Sequence, residues 1–302
     1  MEYISLVSDI RAALPGLDVR LGEPMREHCS FRVGGPAGAM AFPADTDTLE
    51  ALCHILRRAG VKPFLMGRGT NLLPPDGDFD CFVINTCALG GVTLSGSAIT
   101  AQCGATLTKA ATTAAQAGLT GLEFAHGIPG TVGGGVVMNA GAYGGEMKDV
   151  TVRTEYLDEN LIRRTAQGDE QGFSYRHSAF SERDAAVLSA TFVLTPGNRA
   201  EIEEKMRELA AKRRASQPLE LPSAGSTFKR PAGGFAAALI DQAGLKGYAI
   251  GGAQVSEKHA GFVVNRGGAT AADILRLMEH IQKTVLADAG IHLEPEVRIL
   301  EG

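Results

Sequence analysis

The chain has 302 residues, enough for one large domain or two, and its 44% hydrophobic and 21% charged content is that of an ordinary globular protein. A net charge of -5 argues against general nucleic-acid binding, which needs a basic surface to displace counterions. The five cysteines are odd in number and show no Cys-x-x-Cys spacing, which argues against a disulfide framework and a zinc site and fits a reducing compartment.

At the N-terminus, "MEYISLVSDIRAAL" carries acidic residues where a signal peptide has a basic stretch. No apolar run approaches the roughly 20 residues of a membrane span, so a cytoplasmic protein is expected. In "ADTDTLEALCHILRRAG", residues 44–60, Leu49, Leu52, Cys53 and Leu56 make an i, i+3, i+4, i+7 stripe that predicts a helix. Thr46 or Asp47 is placed to cap its start and Gly60 its end. Strand-like runs follow: "PFLMG", "CFVINT", "VTLSGSAITAQCG", "VTVRTEYLD" and "AAVLSATFVL". A second helix is predicted over "NRAEIEEKMRELAAKRR" from the spacing of Ile202, Met206 and Leu209. A third covers "TAADILRLMEHIQKTVLADAG", with Ile274, Leu277, Met278, Ile281 and Val285 on one side and Thr270 with Asp273 as a capping box. "HLEPEVRIL" closes the series as a strand. Helices and strands mix without a βαβ rhythm, which reads as α+β rather than a doubly wound sheet. "TPGNR", residues 195–199, divides the chain into 1–195 and 196–302.

The 38 glycines exceed the usual share of about 7%, and glycine serves where backbone bends sharply or meets a ligand closely. "MGRGTNLL", Met66–Leu73, follows the strand-like "PFLMG"; its turn can aim several N–H groups inward, a nest suited to a diphosphate. No Gly-Lys-Ser/Thr follows, so it is not a P-loop, and no Gly-x-Gly-x-x-Gly fingerprint is completed. In "GIPGTVGGGVVMNAGAYGGE", eight glycines fall between Gly127 and Gly145, interrupted by Ile128, Val132, Val136, Val137 and Met138. Glycine-dense yet apolar and ordered, this segment reads as backbone packed against a flat ligand, and two such segments point to a large cofactor. "LPSAGSTFKRP", Leu221–Pro231, holds the hydroxyl of Ser226 at its middle, between two prolines and beside Lys229 and Arg230.

In this order, "HCSFRVGGPA", "MGRGTNLL", "GIPGTVGGGVVMNAGAYGGE", "YRHSAF", "PSAGSTFKRP", "KHAGFVVN" and "LEPEVR" resemble the UDP-N-acetylenolpyruvoylglucosamine reductases. The resemblance spans about His28 to Arg298. It implies an FAD-binding domain of the vanillyl-alcohol-oxidase (PCMH) type, a smaller C-terminal α+β substrate domain, noncovalent FAD, and NADPH as hydride donor. The implied reaction reduces the enolpyruvyl ether of a UDP-sugar to a lactyl ether in peptidoglycan (cell wall) precursor synthesis, which serves cell shape and division. By resemblance, Gly67, Arg68, Gly69, Thr70 and Asn71 hold the FAD diphosphate. Gly130, Thr131, Val132, Gly133, Gly134, Asn139, Ala140 and Gly141 line the flavin. No histidine lies between Met66 and Leu73 to attach flavin covalently. The short chain between Arg176 and "AAVLSATFVL", with "KHAGF" further on, resembles the subgroup without an extra substrate loop.

Hydride delivery to the terminal carbon of an enolpyruvyl group leaves charge beside a carboxylate, so the chemistry needs cationic stabilisation and a proton donor. Ser226 matches the family's proton donor, Arg176 its charge-stabilising arginine and Glu296 its catalytic glutamate. Alternation alone weighs Glu294 equally with Glu296, because both share one strand face with Arg298; the motif register selects Glu296. Tyr175, Arg214, Lys229 and His259 match substrate contacts, with Arg230 and Lys246 as further candidates. His54 and His280 are read as solvated helix-face residues, and the cysteines as packing. No metal is implied. The expected partner is a UDP-sugar, with no nucleic acid or membrane, in a monomer or weak oligomer. Two other readings stay open: an FAD oxidase of small alcohols or sugars, and a noncatalytic nucleotide-sugar binding protein.

Overall fold

The helical stripe at residues 44–60 forms Thr46–Arg58, with Leu49, Leu52, Cys53 and Leu56 buried. Its cap is Asp45, one residue ahead of the predicted Thr46 or Asp47. Asp45 is the last residue with extended backbone, and its carboxylate accepts from the Thr48 N–H at 2.7 Å. Gly60 follows the helix at φ +68°, as a C′ residue does. This computed structural model describes residues 3–183 and 185–301.

The stripe shares one core with two sheets. The first sheet has the order Asp18–Leu21, Ala37–Phe42, Phe79–Asn85, Phe64–Met66; its opening pair is antiparallel and the rest parallel. The second is antiparallel: Arg163–Gln167, Thr151–Leu157, Ala186–Val193, Ala98–Gln102, Val92–Ser95. Ala39, Ala41, Phe82 and Ile84 from the first and Ile99, Ala101, Ala190 and Phe192 from the second join the same buried cluster. Helix Arg199–Ser216, capped by Asn198, adds Ile202 and Met206 to that cluster although it follows "TPGNR".

A second core gathers residues from Ala224 to Val297. Helix Ala271–Ala289 carries the predicted Thr270–Asp273 capping box and ends at Gly290 in the left-handed region. It buries Ile274, Leu277, Met278, Ile281 and Val285 with residues of the small antiparallel sheet Ala249–Ile250, Ala253–Val255, Val263–Asn265 and of helix Ala236–Gln242. Cys29, Phe31 and Val33 of "HCSFRVGGPA" also lie in this second core, and the buried Asn265 amide donates to the Phe31 carbonyl at 2.9 Å. Asp76 accepts from the Ala271 and Ala272 N–H groups at the start of the last helix. Segments of the first half thus grip the second half by apolar burial and by polar bonds.

"HLEPEVRIL" departs from the predicted strand. Arg298–Ile299 pairs as strand, parallel to Leu72–Leu73, while Pro295 makes an isolated antiparallel bridge to Phe228. Cys29, Cys53 and Cys103 are buried, as packing requires, whereas Cys87 is exposed; no disulfide joins the five. His54 is exposed as expected, but His280 is half-buried and stacks on Tyr248 with ring centroids 4.3 Å apart.

Candidate active site

The loop after strand Phe64–Met66 turns on Gly69, at φ +60°. A Cβ there would strike the His28 carbonyl and lie 2.8 Å from Cys29 Cα, so only glycine fits. Among the described residues, no protein acceptor meets the backbone N–H of Arg68, Gly69, Thr70 or Asn71. The Ser30 N–H donates to the Gly69 carbonyl at 3.2 Å, while the buried Ser30 Oγ has no partner. Consecutive open amides and an orphaned hydroxyl make a cradle for anionic oxygens, and an FAD diphosphate fits it.

The second glycine segment packs against this loop. A Cβ on Gly67 would strike Thr131, whose hydroxyl faces the Gly134 N–H at the start of helix Val132–Val137. The Val132 and Gly133 N–H groups donate to Ala105 and Cys103 carbonyls at 2.8 Å, and both residues are buried. Gly130 and Gly134 are more open, with the Thr70 hydroxyl 3.5 Å from a Cβ placed on Gly130. Of the residues expected along the flavin, Thr131, Val132, Gly133 and Asn139 are buried, while Gly130, Gly134, Ala140 and Gly141 keep partial or full exposure. Asn139 is fully buried.

Tyr175 and Arg176 form the tip of a turn closed by two bonds between Ser174 and His177. Arg176 has φ +56°, a left-handed conformation uncommon for a side-chain-bearing residue. Its Nε donates to Glu296 Oε1 at 2.6 Å, with the two side chains only 22% and 14% exposed. Burial pushes the Glu296 carboxyl above its ordinary value, against the opposing pull of Arg176 and Lys229. Because only Nε is engaged by Glu296, the Nη1 and Nη2 donors are left for a planar carboxylate.

The Ser226 segment is joined to that of Glu296 through Thr227, a buried link between two segments. The Thr227 N–H donates to Gly261 O at 2.8 Å, and its carbonyl accepts from Glu296 N–H at 2.9 Å. This brings Ser226, Glu296 and the His259 segment together. Gly225 takes the turn at φ +78°, and Ser226 is exposed with no hydrogen bond from its hydroxyl among the described residues. His259 Nδ1 accepts from the Gly261 N–H at 3.1 Å, and burial pushes its imidazole below the usual value, helped by Lys246. The neutral ring therefore carries its proton on Nε2.

The cations divide. Lys229 pairs with exposed Glu294 at 3.3 Å, and Lys246 with Asp241 at 2.7 Å. Arg230 stacks over Phe235, and its N–H donates to the Tyr175 hydroxyl at 3.0 Å. Arg214 is exposed at the end of its helix, and its carbonyl accepts from Lys258. Sequence reasoning passed over its neighbour Arg213. That guanidinium is pushed below its usual value by burial, lies against Gly127, and has no carboxylate partner among the described residues. Both arginines border a cavity of about 300 Å³ beside His126, Gly127 and Pro129. The signal for Arg213 was helical spacing: it follows Met206 by seven residues and Leu209 by four, on the covered face of its helix, where Gly127 leaves room for its stem.

Asn71 ties the cofactor cradle to this chemistry. Its Nδ2 donates to the Glu296 carbonyl at 3.0 Å, and its own carbonyl accepts from the Arg298 N–H. Among the described residues, no cluster of His, Cys, Asp or Glu suits a metal ion, and no helix is long and apolar enough to cross a membrane.

Comparison with known proteins agrees with this layout. Residues 37–160 match the family model described as FAD binding domain, and residues 217–300 that of UDP-N-acetylenolpyruvoylglucosamine reductase, C-terminal domain. The UDP-N-acetylenolpyruvoylglucosamine reductase of Caldanaerobacter subterraneus subsp. tengcongensis is 48% identical over 98% of each chain, and that of Agathobacter rectalis 47% identical over 98% of each. The crystal structure of UDP-N-acetylenolpyruvylglucosamine reductase from Thermus caldophilus superposes with a TM-score of 0.81 at 32% identity, covering 94% of this chain and 99% of that one. A berberine bridge enzyme shares the fold alone, with a TM-score of 0.50 at 14% identity over 66% of this chain and 45% of that one. The α+β reading thus stands as an FAD-binding domain of the PCMH type followed by a smaller C-terminal domain. With such identity across nearly the whole of both chains, this chain belongs to the UDP-N-acetylenolpyruvoylglucosamine reductase family and is an oxidoreductase built on an FAD-binding domain.

Proposed function

We propose that this enzyme uses NADPH and noncovalently bound FAD to reduce UDP-N-acetylglucosamine enolpyruvate to UDP-N-acetylmuramate, a step of peptidoglycan precursor synthesis in the cytoplasm. We place residues 1–195 in the flavin domain and 196–302 in the substrate domain, with helix Arg199–Ser216 lying against the first, and expect a monomer or weak oligomer. The observation that carries the reading is the Arg176–Glu296 pair, joined by the Thr227 backbone to the Ser226 segment and tied by Asn71 to the open-amide cradle.

FAD, held by the amides of Arg68 to Asn71, would supply a hydride carrier between NADPH and the terminal carbon of the enolpyruvyl double bond. Charge then develops on the carbon next to the substrate carboxylate. Arg176 meets that charge with the two donors Glu296 leaves unused, and Glu296 fixes the guanidinium plane from a low-dielectric position. Ser226 gives its proton to the same carbon, completing addition of H⁻ and H⁺ across the double bond. Its exposed hydroxyl has no competing protein partner among the described residues. Arg213, Arg214 and Lys229 supply positive charge for the UDP end, and neutral His259 a hydrogen-bond donor. The chain's own amides, Arg68 to Asn71, would bind the cofactor diphosphate.

The test is the visible spectrum of purified protein under anaerobic conditions. A flavin spectrum that bleaches with NADPH and returns only with the enolpyruvyl substrate is expected. Return with air alone at a useful rate would establish the oxidase instead, and a colourless protein that gains no spectrum from added FAD would refute the cofactor assignment.

A further inference from the structure

We propose that Asn139 is a positioning residue for Arg176: it holds the turn that presents the arginine, and so couples the flavin-facing glycine segment to stabilisation of the substrate's charge. The inference rests on the function proposed above. Asn139 is fully buried and itself left-handed, at φ +41°. Its Nδ2 donates to Ser174 O at 2.9 Å and to Glu146 Oε2 at 2.7 Å, and its Oδ1 accepts from the Lys148 N–H at 3.0 Å. The amide is thus occupied by protein and directs one hydrogen to the residue that opens the Ser174–His177 turn.

That turn needs support. Arg176 sits at its tip at φ +56°, and such conformations persist only where surrounding bonds over-determine them. Among the described residues, the Ser174 carbonyl otherwise receives only the His177 N–H, at 3.2 Å. Downstream, the Ser178 and Ser181 hydroxyls both donate to the Val137 carbonyl, at 2.9 and 2.6 Å, pinning the same stretch to the end of helix Val132–Val137. Three side-chain bonds therefore fasten the Arg176 segment to the glycine segment. Asn139 is the one that acts on the turn itself. Without it the tip relaxes toward ordinary φ values and the guanidinium leaves the Glu296 carboxylate.

A double-mutant cycle on FAD-loaded enzyme separates positioning from mere packing. Asn139→Gly removes the amide while tolerating the left-handed backbone. It should slow reoxidation of the reduced flavin by substrate by about 10- to 100-fold, the scale of a misplaced catalytic group. In an Arg176→Ala background the same change should slow it no further than about twofold, because the group being positioned is gone. Equal losses in both backgrounds would show that Asn139 acts on the flavin or the fold and would overturn the proposal. Should Arg176→Ala itself reoxidise like the parent, the arginine's role fails, and the positioning claim with it. Where Asn139→Gly does not fold, Asn139→Asp combined with Glu146→Gln keeps a donor–acceptor pair between those two side chains and still withdraws the donor from Ser174. The same non-additive pattern is required of it.

Discussion

Replacing Arg176 by two different residues separates its chemical role from its conformational cost. Both Arg176→Ala and Arg176→Gly delete the bond to Glu296 and strand a carboxylate whose side chain is 14% exposed. Breaking a fully buried pair costs about 3–5 kcal/mol; with solvent reaching both partners, about 2 kcal/mol is expected for the Ala variant. The two replacements differ at the backbone. The φ of +56° strains any residue with a Cβ by roughly 1–2 kcal/mol, and glycine escapes that strain while gaining some freedom in the unfolded chain, so Gly should exceed Ala in stability by about 1 kcal/mol. Catalysis should not distinguish them: each loses the preorganised cationic donors, and reoxidation of reduced flavin by substrate should fall about 10²–10³-fold in both. Urea unfolding reads the first quantity and anaerobic stopped-flow spectroscopy the second. Reoxidation within about threefold of the parent in either variant would refute charge stabilisation by Arg176. Equal stability of the two variants would refute a strained turn.

Three further outcomes follow from the same geometry. Ser226→Ala should leave stability within about 0.5 kcal/mol and flavin reduction by NADPH intact, because the hydroxyl is exposed and unbonded, yet stop flavin reoxidation by substrate; normal turnover would sink its assignment. Gly69→Ala should yield protein that loses FAD on gel filtration, since the new Cβ meets His28 and Cys29 backbone atoms that have no freedom to move aside, and full retention of flavin would contradict the cradle. For Glu296, burial raises the folded-state carboxyl above its ordinary 4.5, so the folded protein holds that proton more tightly than the unfolded chain, and this contribution to stability is lost as pH rises through the raised value. Glu296→Gln should therefore flatten the fall in Tm as pH rises past the ordinary 4.5, and a steeper fall would refute the buried carboxylate.

Legibility followed the size and spacing of side chains. The Leu49–Leu56 and Ile274–Val285 stripes predict their helices because large apolar groups mark one face. Helix Leu107–Gln116 went unread because its buried face, after Leu107, is Ala110, Ala111, Ala114 and Ala115. These positions do keep helical spacing, but alanine is small enough to sit on either face and so marks the core side only faintly. The same holds for the site. The cradle residues stand in one contiguous motif, but Asn71 meets Glu296 across 225 residues and Asn139 meets Ser174 across 35, so their work on the reacting groups is invisible in the chain itself. Arg213 and Arg214 are adjacent in sequence, and helical spacing from Met206 and Leu209 puts half-buried Arg213 on the face that meets Gly127 while Arg214 stays exposed.

Glu294 and Glu296 show what structure adds to a motif. Strand alternation gave them equal weight, and both do acquire a cation, Lys229 and Arg176 respectively, so pairing alone does not separate them. Pro295 between them bridges Phe228, with the Lys229 N–H donating to the Glu294 carbonyl and the Glu296 N–H to the Thr227 carbonyl, yet the surroundings of the two side chains diverge: that of Glu294 is 68% exposed and that of Glu296 14%. An exposed pair is screened and contributes little, whereas burial raises the energy of every charge in the second pair and makes its geometry consequential. Such an arrangement persists only if its cost is offset, and the two unused Arg176 donors are where a substrate carboxylate would offset it. On that argument Glu294→Gln should leave turnover nearly untouched while Glu296→Gln lowers it, and a greater loss in Glu294→Gln would reverse the assignment.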